Sequence, residues 1–201
     1  MSRDNLVRAF VAIPLGAAAI QELARLSRQL AVDTAGSVRW VRPENYHVTL
    51  KFLGEIPPGV VQDVKTALEA VSWRWESGFM LELRGVGAFP SPDRPRVLWA
   101  GTHGQDPLRK LHHHVDEALE ALGFAREKRF VGHITLGRKG GSDPSPGVER
   151  SLRRHREWVG PVVSVDRFVL MESRLGPGGP TYLELASYQP ALSGRADRGI
   201  L

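Results

Sequence analysis

The chain has 201 residues, 42% of them hydrophobic and 24% charged, which suits one large domain or two intimate lobes around a sizeable core. It has no cysteine, so disulfides, thiolate nucleophiles and zinc–thiolate sites are excluded. Lys and Arg number 27 against 22 Asp and Glu, a net charge of +5 that favours an anionic partner, nucleic acid being the commonest.

Residues 7–13 read as a short strand and 17–30 as a helix, with Ile20, Leu23, Leu26 or Ser27, and Leu30 on one face. The apolar run 9–20 imitates a signal-peptide core, but Asp4 precedes it, Pro14 and Gly16 interrupt it, and Gln21-Glu22 follow without a small-residue cleavage site. No run approaches the roughly 20 apolar residues of a membrane span. The lack of cysteine fits a cytoplasmic protein, and a monomer is expected. Residues 38–41 are strand-like, and Pro43-Glu44-Asn45 is a tight link into an alternating strand from Tyr46. Pro57-Pro58-Gly59 ends that strand and opens a helix over 60–71. Residues 79–86 alternate again, a proline-rich loop spans 89–95, and 96–100 form a strand. Asp106 as N-cap with Pro107 in the first turn starts a helix whose stripe is Leu108, Leu111, Val115, Leu119 and Leu122, stopped by Gly123. Then come a strand over 129–136, a loop over 140–147, a short basic helix over 148–156, and strands over 162–172 and 181–186. Consecutive strands alternating with helices argue for α+β with antiparallel or mixed sheets. Residues 1–193 are expected to form a single domain and 194–201 a frayed tail.

Two of these strands carry the same pattern, His47-Val48-Thr49-Leu50 and His133-Ile134-Thr135-Leu136, one in each half of the chain. Alternate residues of a strand share a face. Val48, Leu50 and Phe52, like Ile134 and Leu136, are thus expected to face a core, while His47, Thr49, His133 and Thr135 face away from it. One copy of so short a motif means little. Two copies with the same parity, each followed by a glycine (Gly54, Gly137), point to a duplicated strand bearing chemistry. Converging across a groove, they supply two imidazoles for proton transfer and two hydroxyls to hold an anion. Lys51 shares the parity of His47 and could line the groove, although a solvated lysine is the simpler reading.

Other signals are weaker. His112-His113-His114 cannot converge on one ion, because adjacent helix residues point about 100° apart. His112 is expected to edge the apolar stripe, and His113 and His114 to be solvated. Gly176 to Pro180 lies between strands, where a hairpin fits better than a phosphate loop. Arg150, Arg153, Arg154 and Arg156 read as a solvated helix face, with RNA contact the sharper alternative.

The chain resembles the two-histidine phosphoesterases, and within them the RNA 2′,3′-cyclic phosphodiesterases, also called the LigT or 2′-5′ RNA ligase family. The resemblance rests on Arg8-Ala9-Phe10-Val11-Ala12-Ile13, the stretch from Trp40 to Glu55, Gly87-Ala88-Phe89-Pro90, Pro95 to Gly101, Gly132 to Arg138, Leu170 to Leu175 and Gly179 to Tyr182. It implies two pseudo-symmetric lobes, each an antiparallel sheet with helices outside, facing a central groove with one His-x-Thr on each side. It implies hydrolysis of an RNA 2′,3′-cyclic phosphodiester end, or of a small cyclic nucleotide, to a 2′-phosphomonoester. The alternatives are 2′-5′ ligation at the same site and non-catalytic binding of RNA ends. The residues leave open which histidine is the acid; the resemblance implies that His47 is the proton donor and His133 the acceptor. Thr49 and Thr135 would bond the nonbridging oxygens. Arg138 is a candidate for the developing charge, but its parity opposes that of His133 unless the strand turns at Gly137. No metal-ligand spacing is visible, so no metal or other cofactor is expected.

Overall fold

The computed structural model describes residues 6–34, 36–141, 144–177 and 179–191; the expected tail lies outside the described residues. Helices form where apolar residues recur every three or four positions. Helix α1 (Ala17–Ala31) buries Leu23, Leu26, Ser27 and Leu30. Helix α2 (Pro58–Arg74) buries Val64, Leu68 and Val71. Helix α3 (Asp106–Glu120) buries Leu108, Leu111, Val115 and Leu119. Helix α4 (Pro146–Arg154) buries Val148 and Leu152. Each fully buried aliphatic side chain contributes about 1.5–3 kcal/mol. Gln105, not Asp106, is the N-cap of α3. Asp106 instead sits in the first turn, where its charge meets the positive end of the helix dipole. No helix among the described residues is long and apolar enough to cross a membrane.

Nine strands alternate with these helices: β1 (Val7–Pro14), β2 (Val38–Trp40), β3 (His47–Ile56), β4 (Phe79–Pro90), β5 (Pro95–His103), β6 (His133–Lys139), β7 (Val159–Val165), β8 (Phe168–Gly176) and β9 (Gly179–Tyr188). All pairings are antiparallel. The order is β7-β4-β5-β6-β3-β1-β8-β9, with β2 also beside β6. Each half contributes four strands, running outward from a central seam where β3 meets β6 at the single pair Val48–Ile134. The expected hairpin is present, with Gly176 opposite Gly179.

The strand expected over 162–172 is two strands. β7 pairs with β4 in one half, and β8 with β1 in the other. Asp166 and Arg167 alone join them. Three residue steps span at most about 11 Å. An edge strand of one half must therefore approach an inner strand of the other, and the sheet curls.

One face of the curled sheet carries the helices and a core drawn from both halves, including Val11, Val48, Leu50, Leu98, Ile134 and Leu136. The halves also exchange helices. α1 leaves β1 but packs on β6 and β7, while α3 leaves β5 but packs on β3.

The register has a break directly after each His-x-Thr. Ala12 faces Thr49 and Val11 faces Lys51, so Leu50 is an extra residue in β3. Trp99 faces Thr135 and Leu98 faces Gly137, so Leu136 is the extra residue in β6. A bulge of this kind resets the alternation of faces. Lys51 therefore points into the core, 2% exposed, and neither lines the groove nor meets solvent, while Phe52, expected in the core, is turned to the other face and is 63% exposed. The Lys51 ammonium is paired with Asp116 of α3 and also donates to the Ala125 carbonyl. Asp116 in turn accepts the Glu127 N–H at 3.1 Å. His112, one turn earlier, donates its Nδ1–H to the Leu50 carbonyl at 2.9 Å and stacks on Phe130 with centroids 4.0 Å apart. It is more deeply placed than the edge position expected of it, whereas His113 is exposed. Asp116 and His112 thus grip the β3 bulge from one face of α3.

Removing one partner of a buried ion pair leaves an uncompensated charge and costs about 3–5 kcal/mol. Asp116→Ala should lower the urea-unfolding free energy by that amount. The apolar pair Lys51→Met with Asp116→Leu should lose much less. Equal losses in the single and double variants would contradict the buried-pair account.

Candidate active site

The face opposite the helices holds the two motifs. Val48 and Ile134 meet at the seam and point into the core. His47 and Thr49 flank the first, and His133 and Thr135 flank the second, so four polar side chains surround the seam pair on the open face. All four are half-buried.

The two imidazoles are held in the same way. His47 Nδ1 lies 2.7 Å from the Asn45 carbonyl, and His133 Nδ1 lies 2.8 Å from the Val131 carbonyl. A carbonyl only accepts, so each Nδ1 carries a proton and each Nε2 is the nitrogen free for chemistry. Thr49 Oγ1 lies 3.0 Å from His47 Nε2, within reach to donate to it. The carbonyl that orients His47 is itself fixed, because the Asn45 amide donates to the Pro180 carbonyl at 2.8 Å.

Aromatic rings wall in both histidines. Phe10 and Tyr182 approach His47 with centroids at 4.9 and 5.3 Å. Phe89 meets His133 edge-on at 5.0 Å and Trp99 at 5.4 Å. Trp99 lies flat where Gly87 and Gly101 have no side chain; a Cβ at Gly87 would overlap its ring. These aromatic residues were not singled out from sequence. β1 is apolar on both faces, Phe10 on one and Val11 on the other, and that double pattern was the signal for a second, smaller apolar cluster on the open side.

The bulge at Leu136 also decides Arg138. It puts Gly137 on the core face, where an added Cβ would clash with Val38, and turns Arg138 to the side of His133 and Thr135. The strand does not turn at Gly137; the extra residue before it supplies the parity change. Burial pulls the His47 pKa down to about 4, with the charges of His133 and Arg138 pushing the same way against the Asn45 hydrogen bond. Burial, with Arg138, also lowers that of His133. Both imidazoles are therefore neutral in the empty groove at neutral pH, facing a guanidinium. Such a site can hold an anion, take a proton at one Nε2 and give one from the other.

Known proteins resemble this chain along most of its length. The family described as LigT like Phosphoesterase matches residues 13–99 and 102–182. An RNA 2′,3′-cyclic phosphodiesterase of Aeropyrum pernix is 38% identical over 178 residues, covering 88% of this chain and 99% of that protein. One from Archaeoglobus fulgidus is 33% identical over 91% of this chain and all of its own, 100%. Among solved structures, TT0787 of Thermus thermophilus superposes with a TM-score of 0.76 at 28% identity, covering 90% of this chain and 97% of its own. E. coli LigT complexed with 3′-AMP shares the fold, with a TM-score of 0.71 at 24% identity over 93% of this chain and 99% of that one. The chain belongs to the LigT-like phosphoesterase family.

Proposed function

We propose that this chain hydrolyses the 2′,3′-cyclic phosphodiester at an RNA end to a 2′-phosphomonoester, using His47 as proton donor and His133 as proton acceptor. The observation that carries the reading is the matched pair of imidazoles, each with Nδ1 tied to a backbone carbonyl and Nε2 left for the substrate. The names of the relatives support the substrate class. His133 Nε2 takes a proton from water as its oxygen attacks phosphorus. The bond from phosphorus to the 3′ oxygen breaks, and His47 Nε2–H delivers a proton to that oxygen. One water is consumed, and the proton count on the two histidines is restored by exchange with solvent. Thr49, Thr135 and Arg138 hold the nonbridging oxygens, and the guanidinium opposes the charge that grows on them. The bound diester supplies the negative charge that the empty groove lacks. It offsets the push of Arg138 and allows one imidazole to be protonated. Thr49 leaves His47 Nε2 for the phosphate in the same step.

The two histidines should act as a unit. His47→Ala or His133→Ala should each cost at least about a thousandfold in kcat on a nucleoside 2′,3′-cyclic phosphate, and the double variant should cost little more. Near-normal turnover by either single variant would remove that residue from the mechanism.

The pH dependence has a definite sign. A lowered pKa means that an imidazolium forms only at more acidic pH. The free protein with one proton on two imidazoles is then most populated on the acid side of the ordinary histidine value, about 6.5. So kcat/KM should rise as pH falls from neutrality and drop again once both rings are protonated. Because bound substrate favours the imidazolium, the alkaline limb of kcat should lie at higher pH than that of kcat/KM. Coincident limbs would show that the diester's charge does not reach the acid.

Acid, base and oxyanion partners are all side chains of this chain, so full activity should survive exhaustive EDTA treatment. Activity lost to EDTA and regained with one divalent ion would overturn the two-histidine account.

A further inference from the structure

Across the described ladders, like charges face each other at one position: Arg39 of β2 is directly opposite Arg138 of β6. Residues opposite in an antiparallel pair share a face. The neighbours agree, since Val38 is buried in the core and Trp40 packs against it, which leaves Arg39 on the groove side and exposed. Like charges placed this way destabilise a sheet. Elsewhere charge is matched: Arg8 faces Glu55 across β1 and β3. Eight other arginines lie within ion-pair distance of a carboxylate, whereas neither Arg39 nor Arg138 does among the described residues. The charge of Arg138 is felt by both imidazoles. β2 lies along the same edge of β6 as β3, so Arg39 sits beside Arg138, further along β6 from the seam pair at Ile134.

We propose that Arg39, beside the Arg138 that serves the reacting group, forms a second phosphate subsite and reads the phosphate on the 5′ oxygen of the nucleotide whose 2′,3′-cyclic phosphate is cleaved. The proposal rests on the reading of the groove as a cyclic phosphodiesterase site. In an RNA end the nearest other phosphate is on that 5′ oxygen, so a groove for RNA needs a cation one step beyond the reacting group. A nucleoside cyclic phosphate lacks this group. A chain supplies it as a phosphodiester, and a 5′-phosphorylated mononucleotide as a monoester. Guanidinium suits either, because it meets phosphate oxygens with two parallel N–H donors. The unpaired charge that costs stability in the empty protein becomes a source of binding when that phosphate arrives.

The test compares wild type, Arg39→Ala and Arg39→Lys on three substrates: a nucleoside 2′,3′-cyclic phosphate, the same with a 5′-phosphate, and a dinucleotide ending in the cyclic phosphate. Wild type should prefer the second and third. In Arg39→Ala that preference should shrink about tenfold, as one charge-assisted contact implies, through KM with kcat retained. Arg39→Lys should keep most of it. The slope of log(kcat/KM) against log[salt] for the dinucleotide should fall by about one in Arg39→Ala. Loss confined to the dinucleotide would assign the subsite to a chain phosphodiester, and loss on both phosphorylated substrates to any 5′-phosphate. A preference unchanged in Arg39→Ala, or an equal loss on all three substrates, overturns the subsite. Binding of a nucleoside 2′,5′-bisphosphate against the 2′-monophosphate makes the same comparison without turnover. If no cyclic phosphate is hydrolysed but Arg39→Ala still erases the bisphosphate's advantage, the reaction assigned to the groove is wrong and the subsite stands.

Discussion

The groove depends on one property of extended backbone: alternate side chains point to opposite faces, and a single extra residue reverses the order. Up to Thr49 and Thr135 the alternation is regular, so apolar Val48 and Ile134 enter the core while His and Thr line the open face. At Leu50 and Leu136 it is reset. Without the second reset, Arg138 would point among the aliphatic side chains of the core and the groove would lose its guanidinium. Without the first, Lys51 would share the open face with His47 and Thr49 and add a second cation to that side of the groove. The two copies use the same device to opposite ends, removing a cation from one side of the site and delivering one to the other.

A bulge leaves backbone groups unpaired, so it persists only where something holds it. In β3 that is α3. His112 takes the Leu50 carbonyl and Asp116 takes the Lys51 ammonium, and the same carboxylate and ammonium bind the segment at Ala125 and Glu127 that leads towards His133. The helix that leaves the second half therefore fixes the motif strand of the first. α1 makes the reciprocal crossing. A core drawn from both halves and a two-residue link from β7 to β8 tie the two halves together, so packing positions the two motif strands.

Much of this was legible in the sequence, and the reasons are local. Parity gave the faces of His47, Thr49, His133 and Thr135, because the strands are regular up to those residues. It failed at Lys51 because a bulge has no composition signature: Leu-Lys-Phe reads as unbroken alternation. It gave the right condition for Arg138 and the wrong cause. The 162–172 reading failed because Asp166-Arg167 is two residues of ordinary strand-edge chemistry, and only topology shows that the chain changes halves there. The histidine run was read as one edge residue and two solvated ones. The value of His112 lay instead in a carbonyl 62 residues away in sequence, which no local pattern reveals.

The net charge of +5 was the vaguest of these signals, and the groove gives it a location. Two neutral imidazoles, two hydroxyls and a guanidinium stand together on one open face, with aromatic rings against both imidazoles. Arg39 adds a second cation opposite the first. In the empty protein this arrangement is costly: burial and Arg138 both resist protonation of His47, and two guanidiniums repel each other across a strand pair. On the proposed reading, the cyclic phosphodiester relieves the first and the 5′-phosphate of the same nucleotide the second. In the proposed mechanism the diester's charge stabilises an imidazolium that the free site resists forming, so the general acid would be assembled mainly when substrate is present. Substrate recognition and catalytic protonation are then a single electrostatic event, and the strain of the unoccupied groove is what couples them.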